Sequence, residues 1–131
     1  MTTKELADLI FPNITKTVED YEKEYPVREE KTVTRFAPSP TGFVHIGGIY
    51  GALIDYLIAK NNNGVFMLRI EDTDQKREME DAVKLIMDAL DYYGVNPDEY
   101  EYNDKIVGNY GPYVQSERKE IYHTFIKYLI E

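Results

Sequence analysis

The chain has 131 residues, 43% of them hydrophobic and 30% charged, the make-up of one globular domain rather than a disordered segment. No apolar run is long enough to cross a bilayer, no secretory leader is visible, and the lack of cysteine excludes a disulfide framework and a cysteine zinc site, so the cytoplasm is the expected setting. The net charge of −9 divides into −3 over residues 1–32 and −6 over residues 33–131, which leaves no broad basic face for a nucleic-acid backbone; a small anion held by one arginine or a helix end stays open.

Residues 1–32 read as an N-terminal helical extension and linker. Thr2-x-x-Glu5 is a capping-box pattern, and Leu6, Leu9 and Ile10 follow at helical spacing. Tyr21, Tyr25 and Pro26 lie among charges without a clear period, which predicts a short helix or two and then a linker. No chemistry is assigned here; packing on a larger body is the expectation.

From Val33 the pattern changes. Val33 to Ala37 is β-branched and aromatic, and it ends at Pro38-Ser39-Pro40-Thr41-Gly42, where two prolines fix φ and a glycine permits a turn. Ile46, Ile49, Leu53 and Leu57 then predict a helix that begins near His45 and stops at Asn61-Asn62-Asn63-Gly64. Val65 to Ile70 is apolar enough for a strand buried on both faces. Thr73 or Asp74 is a candidate cap for a further helix with Met79, Val83, Ile86, Leu90 and Tyr93 as its stripe, ended by Gly94. Short strands are expected near Glu99–Tyr102 and Tyr113–Gln115, and Ser116 is expected to cap a last helix with Ile121, Phe125 and Tyr128 on one side. Strand–helix–strand–helix order implies an α/β fold with a parallel sheet and right-handed crossovers.

Parallel sheets bind ligands beyond the carboxyl ends of their strands. Two polar clusters occupy those ends, Arg35 to Gly48 and Arg69 to Asp74, and if the strands are neighbours the clusters share one crevice. A helix opening near His45-Ile46-Gly47-Gly48 offers unpaired N–H groups and a partial positive charge, suited to a phosphate. Two glycines in a first helical turn cost roughly 1 kcal/mol each against alanine. They become sensible if a flat ring lies against bare backbone, with His45 donating to an oxygen that gains charge during attack on phosphorus. Equally, the glycines serve close packing and His45 caps the helix. The three carboxylates Glu71, Asp72 and Asp74 suit a cation or an ammonium group; an EF-hand is disfavoured by the missing turn glycine and twelfth-position carboxylate, and no metal site is assigned. Capping accounts for Asp74, whereas Glu71 at the strand end has no such excuse. His123 reads as a surface or rim residue, and the 12 scattered tyrosines as core and interface rather than base-stacking groups.

Thr34-Arg35-Phe36-Ala37-Pro38-Ser39-Pro40-Thr41-Gly42, running into His45-Ile46-Gly47-Gly48, resembles the signature segment of the class I aminoacyl-tRNA synthetases, the glutamyl-tRNA synthetases in particular. Arg69-Ile70-Glu71-Asp72-Thr73-Asp74 is similar to a second segment of that family and Gln115-Ser116-Glu117-Arg118 to a third; the match covers 33–131 in family order. Ala37 to Gly42, Gly48 and the Asp74 ending favour the glutamyl over the glutaminyl branch. The resemblance implies the N-terminal half of a Rossmann-like parallel sheet with flanking helices, residues 33–131 forming the first half of an ATP- and glutamate-binding catalytic domain.

It further implies ligation of glutamate to tRNA. The glutamate α-carboxylate attacks the α-phosphorus of ATP, which enters with Mg²⁺, and the glutamyl group passes from the adenylate to tRNA. By position His45 would be catalytic and, with Ser39, Gly47 and Gly48, would bind ATP. Arg35, Ala37, Ser39 and Glu71 would bind glutamate, Arg35 at its side-chain carboxylate and Glu71 at its ammonium. In the family an inserted tRNA-acceptor domain and a Lys-Met-Ser-Lys-Ser type loop complete the site, and neither occurs in these 131 residues. The chain is therefore expected to be part of a longer protein, to leave one strand edge bare and to bind its small substrates weakly without aminoacylating, tRNA being met through regions it lacks; oligomeric state is not legible. Rival readings are a tRNA-modifying glutamyl-queuosine synthetase-like enzyme, a nucleotidyltransferase of the same fold, which leaves Arg35 and Glu71 unexplained, and a non-catalytic binding module.

Overall fold

A computed structural model describes residues 1–42, 44–74 and 81–131. By contact the chain forms two units, Met1–Val27 with Glu117–Glu131, and Arg28–Ser116.

In the first unit, helix α1 spans Thr3–Ile10 and α2 spans Val18–Glu24. Both open on reciprocal capping boxes, Thr2 with Glu5 and Thr17 with Asp20, so two orphan N–H groups are satisfied at each start. The helix α5, Lys119–Ile130, packs on both. Its buried residue is Thr124; Phe125 and Tyr128, expected on the inner side, are exposed. In α1 the inward residue is Ala7, while Leu9 and Ile10 face out. Small side chains let these short helices approach closely, which overrides the larger apolar stripe.

The second unit is built on two parallel strands, β1 (Val33–Phe36) and β2 (Val65–Leu68), paired Val33 with Val65 through Phe36 with Leu68. Helix α3, Ile46–Asn61, makes the crossover between them. The pairing begins where the Val65 N–H donates to Thr32 O at 3.0 Å. Gly64 is required at that point, since a Cβ on it would stand 2.2 Å from the Thr32 carbonyl oxygen. The far edge of β2 is met by two short segments in tandem. Met67 bridges Glu99, and Ile70 bridges Val114, both in parallel. Among the described residues no strand pairs with the other edge of β1.

The core gathers Ile49, Ala52 and Ala59 of α3, Phe66, Leu68 and Ile70, and Ile86 and Leu90 of α4 (Ala82–Tyr92). Phe66 is fully buried, worth about 1.5–3 kcal/mol against exposure, and meets the Tyr56 ring edge-on at 5.8 Å. The stripe predicted on α3 is rotated, whereas on α4 the predicted Val83, Ile86 and Leu90 do meet the core. On α3 the buried face is Ile49, Ala52 and Ala59, leaving Ile46 72% exposed and Leu53 and Leu57 at the surface. On α4 the buried face is Ala82, Ile86 and Leu90, and Tyr93 lies outside. Met79, assigned to that stripe, lies outside the described residues. A hairpin of β3 (Tyr100–Tyr102) and β4 (Lys105–Val107) turns at Asn103 and Asp104, both at positive φ as a two-residue hairpin loop demands. A 3₁₀ turn, Gln115–Arg118, leads into α5, which opens without a side-chain cap.

Candidate active site

Because β1 and β2 are parallel neighbours, both polar clusters leave the sheet at the same end. The ladder continues past the strands, with the Arg69 N–H on Phe36 O at 3.0 Å and the Glu71 N–H on Pro38 O at 2.9 Å. The acidic segment thus begins against the loop that opens α3.

That loop frames a cleft of about 390 Å³ lined by Phe36, Pro38, Ser39, Thr41, Gly42, Val44, His45 and Gly48. Pro40, fully buried, anchors the loop, which exposes Ser39 beside it. His45 is the N-cap of α3: its Nδ1 accepts the Gly47 N–H at 3.1 Å. The cap occupies one ring nitrogen and leaves the other available. A neutral imidazole whose Nδ1 accepts carries its proton on Nε2, so the cap leaves a second ring nitrogen able to donate. Gly47 is explained by the same contact, since a Cβ on it would come 2.9 Å from the His45 Cε1. At Gly48 a Cβ would come 3.2 Å from Val44 Cγ1, a tight fit that favours glycine next to the cleft.

Of the residues expected to hold glutamate, Ser39 lines this cleft, and Arg35, Ala37 and Glu71 are not among its lining residues. Along β1, Thr34 and Phe36 turn toward α3, where the Thr34 hydroxyl donates to Asp55 O at 2.8 Å. Arg35 alternates to the other face and is exposed. Burial pushes the Asp55 carboxyl above its usual range, and the charge of Arg35 offsets only part of that. Ala37 is half-buried on the way into the loop. Glu71 is half-buried, and its Oε1 accepts from Arg69 Nη2 at 3.1 Å. Arg69 is mostly buried and its Nε meets no partner.

Asp72 does something the sequence did not suggest. Its carboxylate accepts both the Ser116 N–H, at 2.9 Å, and the Ser116 hydroxyl, at 2.5 Å. Ser116 was expected to cap a helix with its own side chain; instead it is a donor to an acidic residue 44 positions earlier. The second and third resembling segments are joined by this pair. Among the described residues, no group of three His, Asp or Glu stands close enough to hold a metal ion.

A family model described as tRNA synthetases class I (E and Q), catalytic domain, matches residues 31–131. The chain belongs to that family. A glutamate–tRNA ligase of Acetivibrio thermocellus is 50% identical over the whole chain, and one of Clostridium beijerinckii is 48% identical over 99% of it. The chain spans about a quarter of the length of these curated relatives. Among solved structures of the family, a glutamate tRNA ligase of Elizabethkingia meningosepticum in complex with its amino acid superposes with a TM-score of 0.71, at 48% identity over 77% of this chain and 20% of that one. A glutamate–tRNA synthetase of Elizabethkingia anophelis gives 0.69 at 51% identity, over 75% and 19%. The parallel α/β architecture expected from the sequence is the fold of this synthetase family.

Proposed function

We propose that this chain carries the first half of the glutamate-activating site of a glutamate–tRNA ligase, residues 33–131 forming the first part of its Rossmann-like catalytic domain. The observation that supports the reading most is the His45 cap. It sets an Nε2–H donor beside a cleft that is bordered by a helix N-terminus, the arrangement that would steady charge on the α-phosphate of ATP.

In this reading ATP enters with Mg²⁺ as substrate, its phosphates toward His45 and Ser39 and its adenosine against Gly47 and Gly48. The glutamate α-carboxylate attacks the α-phosphorus in line and pyrophosphate leaves. No enzyme-bound covalent intermediate forms, so holding the two substrates in line supplies most of the rate. Arg35 would pair with the glutamate side chain, with Ala37 and Ser39 alongside, and Glu71 would take its ammonium. Arg69 then has a part: while no ammonium is present, it partners the Glu71 carboxylate. Transfer to tRNA needs basic surface and a lysine-rich loop that are not in this sequence. The setting we expect is cytoplasmic, and no helix among the described residues is long and apolar enough to cross a membrane.

The test is nuclear magnetic resonance titration of the chain, with ATP–pyrophosphate exchange measured alongside. ATP is expected to shift His45 and Gly48, and L-glutamate to shift Arg35 and Glu71, with His45→Ala and Glu71→Ala each abolishing its own response. Robust aminoacylation by these 131 residues, or silence of all four residues toward both ligands, would overturn the reading.

A further inference from the structure

Arg28 stands in what reads by sequence as a charged linker, and it precedes the family match, which starts at residue 31. In the structure it belongs to the second unit and is deeply placed. Its guanidinium makes two parallel bonds to Glu99, Nη1 to Oε1 at 2.8 Å and Nη2 to Oε2 at 2.5 Å. The two side chains are only 15% and 11% exposed. The Tyr110 ring stacks on the guanidinium, 3.7 Å away. The Tyr113 hydroxyl donates to the same Glu99 Oε2 at 2.7 Å and accepts the Tyr110 N–H at 3.0 Å. Tyr113 is itself buried, and its backbone N–H donates to Glu101 at 3.0 Å.

A chain of hydrogen bonds runs from this cluster to the acidic segment. The Ile70 N–H donates to Tyr113 O at 2.9 Å, and the Gln115 N–H returns to Ile70 O at 2.9 Å. The next residue, Ser116, makes two bonds to Asp72, through its N–H and its hydroxyl. Among the described residues, the segment from Tyr113 to Ser116 joins the sheet through the isolated Ile70–Val114 bridge just past the end of β2, not through a ladder. Its position therefore depends on the Tyr113 anchor, and the Asp72 carboxylate follows Ser116.

We propose that Arg28 is a positioning residue for the acidic segment 71–74, acting through Glu99 and Tyr113 to set Ser116 and with it Asp72. A buried ion pair is a poor device for stability alone, because apolar side chains of the same volume do as well or better. Its use is directional. The guanidinium fork fixes the plane of the Glu99 carboxylate, and that plane aims Oε2 at the Tyr113 hydroxyl. The link from this segment to amino-acid binding, through Glu71, rests on the proposed function above; the link from Arg28 to Asp72 does not.

The test is residue-resolved hydrogen exchange on the 131-residue chain, paired with L-glutamate titration. In Arg28→Gln, amides of Ile70, Gln115 and Ser116 are expected to exchange roughly tenfold faster, the scale of coupling within one network. Val65 and Arg69, bonded to the β1 side, stay at the wild-type rate. Arg28→Lys keeps the charge without the fork and is expected to behave like Arg28→Gln, whereas a role in bulk stability predicts that lysine restores slow exchange. Ile86→Val, a core change on α4, serves as the control for general loosening. Uniform acceleration in Arg28→Gln, lysine rescue, or faster exchange with unchanged glutamate affinity would each overturn the proposal. If the wild-type chain does not take up glutamate at all, the proposed function fails on that arm, and the exchange arm still decides whether Arg28 positions Asp72.

Discussion

The imidazole of His45 lies over Gly47, holding its N–H through Nδ1 and leaving no room for a Cβ beneath Cε1. Gly47→Ala separates stability from binding. Alanine gains up to about 1 kcal/mol of helix propensity, and loss of the cap costs about as much. Thermal unfolding is therefore expected to move little. ATP affinity, read by titration, falls about tenfold, as expected when a hydrogen bond to a charged group is misdirected.

Gly64→Ala acts on the fold instead. The added carbon meets the Thr32 carbonyl oxygen at 2.2 Å, a backbone atom that cannot rotate aside. Parallel pairing of β1 with β2 must open at its first rung. The expected loss is about 3 kcal/mol or more, measured by denaturant unfolding.

Acid stability should follow Glu99. Burial pushes its carboxyl up, but the hydrogen bonds from Arg28 and Tyr113 and the charge of Arg28 more than offset this, so it is held below the usual 4.5. The unfolded chain then takes up a proton first as the pH falls. Stability from this pair is complete above the unfolded value and is lost as the pH falls through the folded one. Glu99→Gln removes that pH dependence and costs about 3–5 kcal/mol at neutral pH by leaving Arg28 buried and unpaired. Unfolding midpoints across acidic pH check both. At the alkaline end the order reverses: burial, then the bond to Glu99, pushes the Tyr113 phenol up to about 12, so stability declines as the pH rises from 10 toward that value.

Asp55 has the opposite sign to Glu99. Its carboxyl is raised above 3.8, chiefly by burial, so the folded chain holds its proton longer than the unfolded one. Its contribution falls as the pH rises through that window, and the charged form is a net cost at neutral pH. Asp55→Asn is expected to raise stability by less than about 1 kcal/mol at pH 7 and to show no gain in acid.

The strand–loop–helix–strand run from Val33 to Ile70 was legible because punctuation is local: prolines and a glycine close the strand, and Asn61 to Gly64 close the helix. The buried face of α3 was not, since that helix is apolar nearly all round and periodicity has no polar side to mark. Its inner residues include Ala52 and Ala59, which bring helix and sheet together, rather than Leu53 and Leu57. The β3–β4 hairpin carried a signal in Asn103-Asp104, residues that tolerate positive φ, although no glycine advertised it. At the candidate site, the start of α3 at His45 was readable from spacing. Arg28 was not, because nothing local distinguishes a cation whose partner lies 71 residues away. Asp72 was seen only as one of several acids, and its tie to Ser116 exists only once the chain has folded back.

The tandem segments along β2 carry a kinetic consequence. β1, α3 and β2 are contiguous in the chain and close over short loops, whereas Glu99 and Val114 reach β2 only after the intervening helix and hairpin are in place. Contacts of long sequence separation form late. On refolding, the His45 side of the cleft is therefore expected to be organised early, and the Asp72 carboxylate to find its final orientation only when Ser116 arrives.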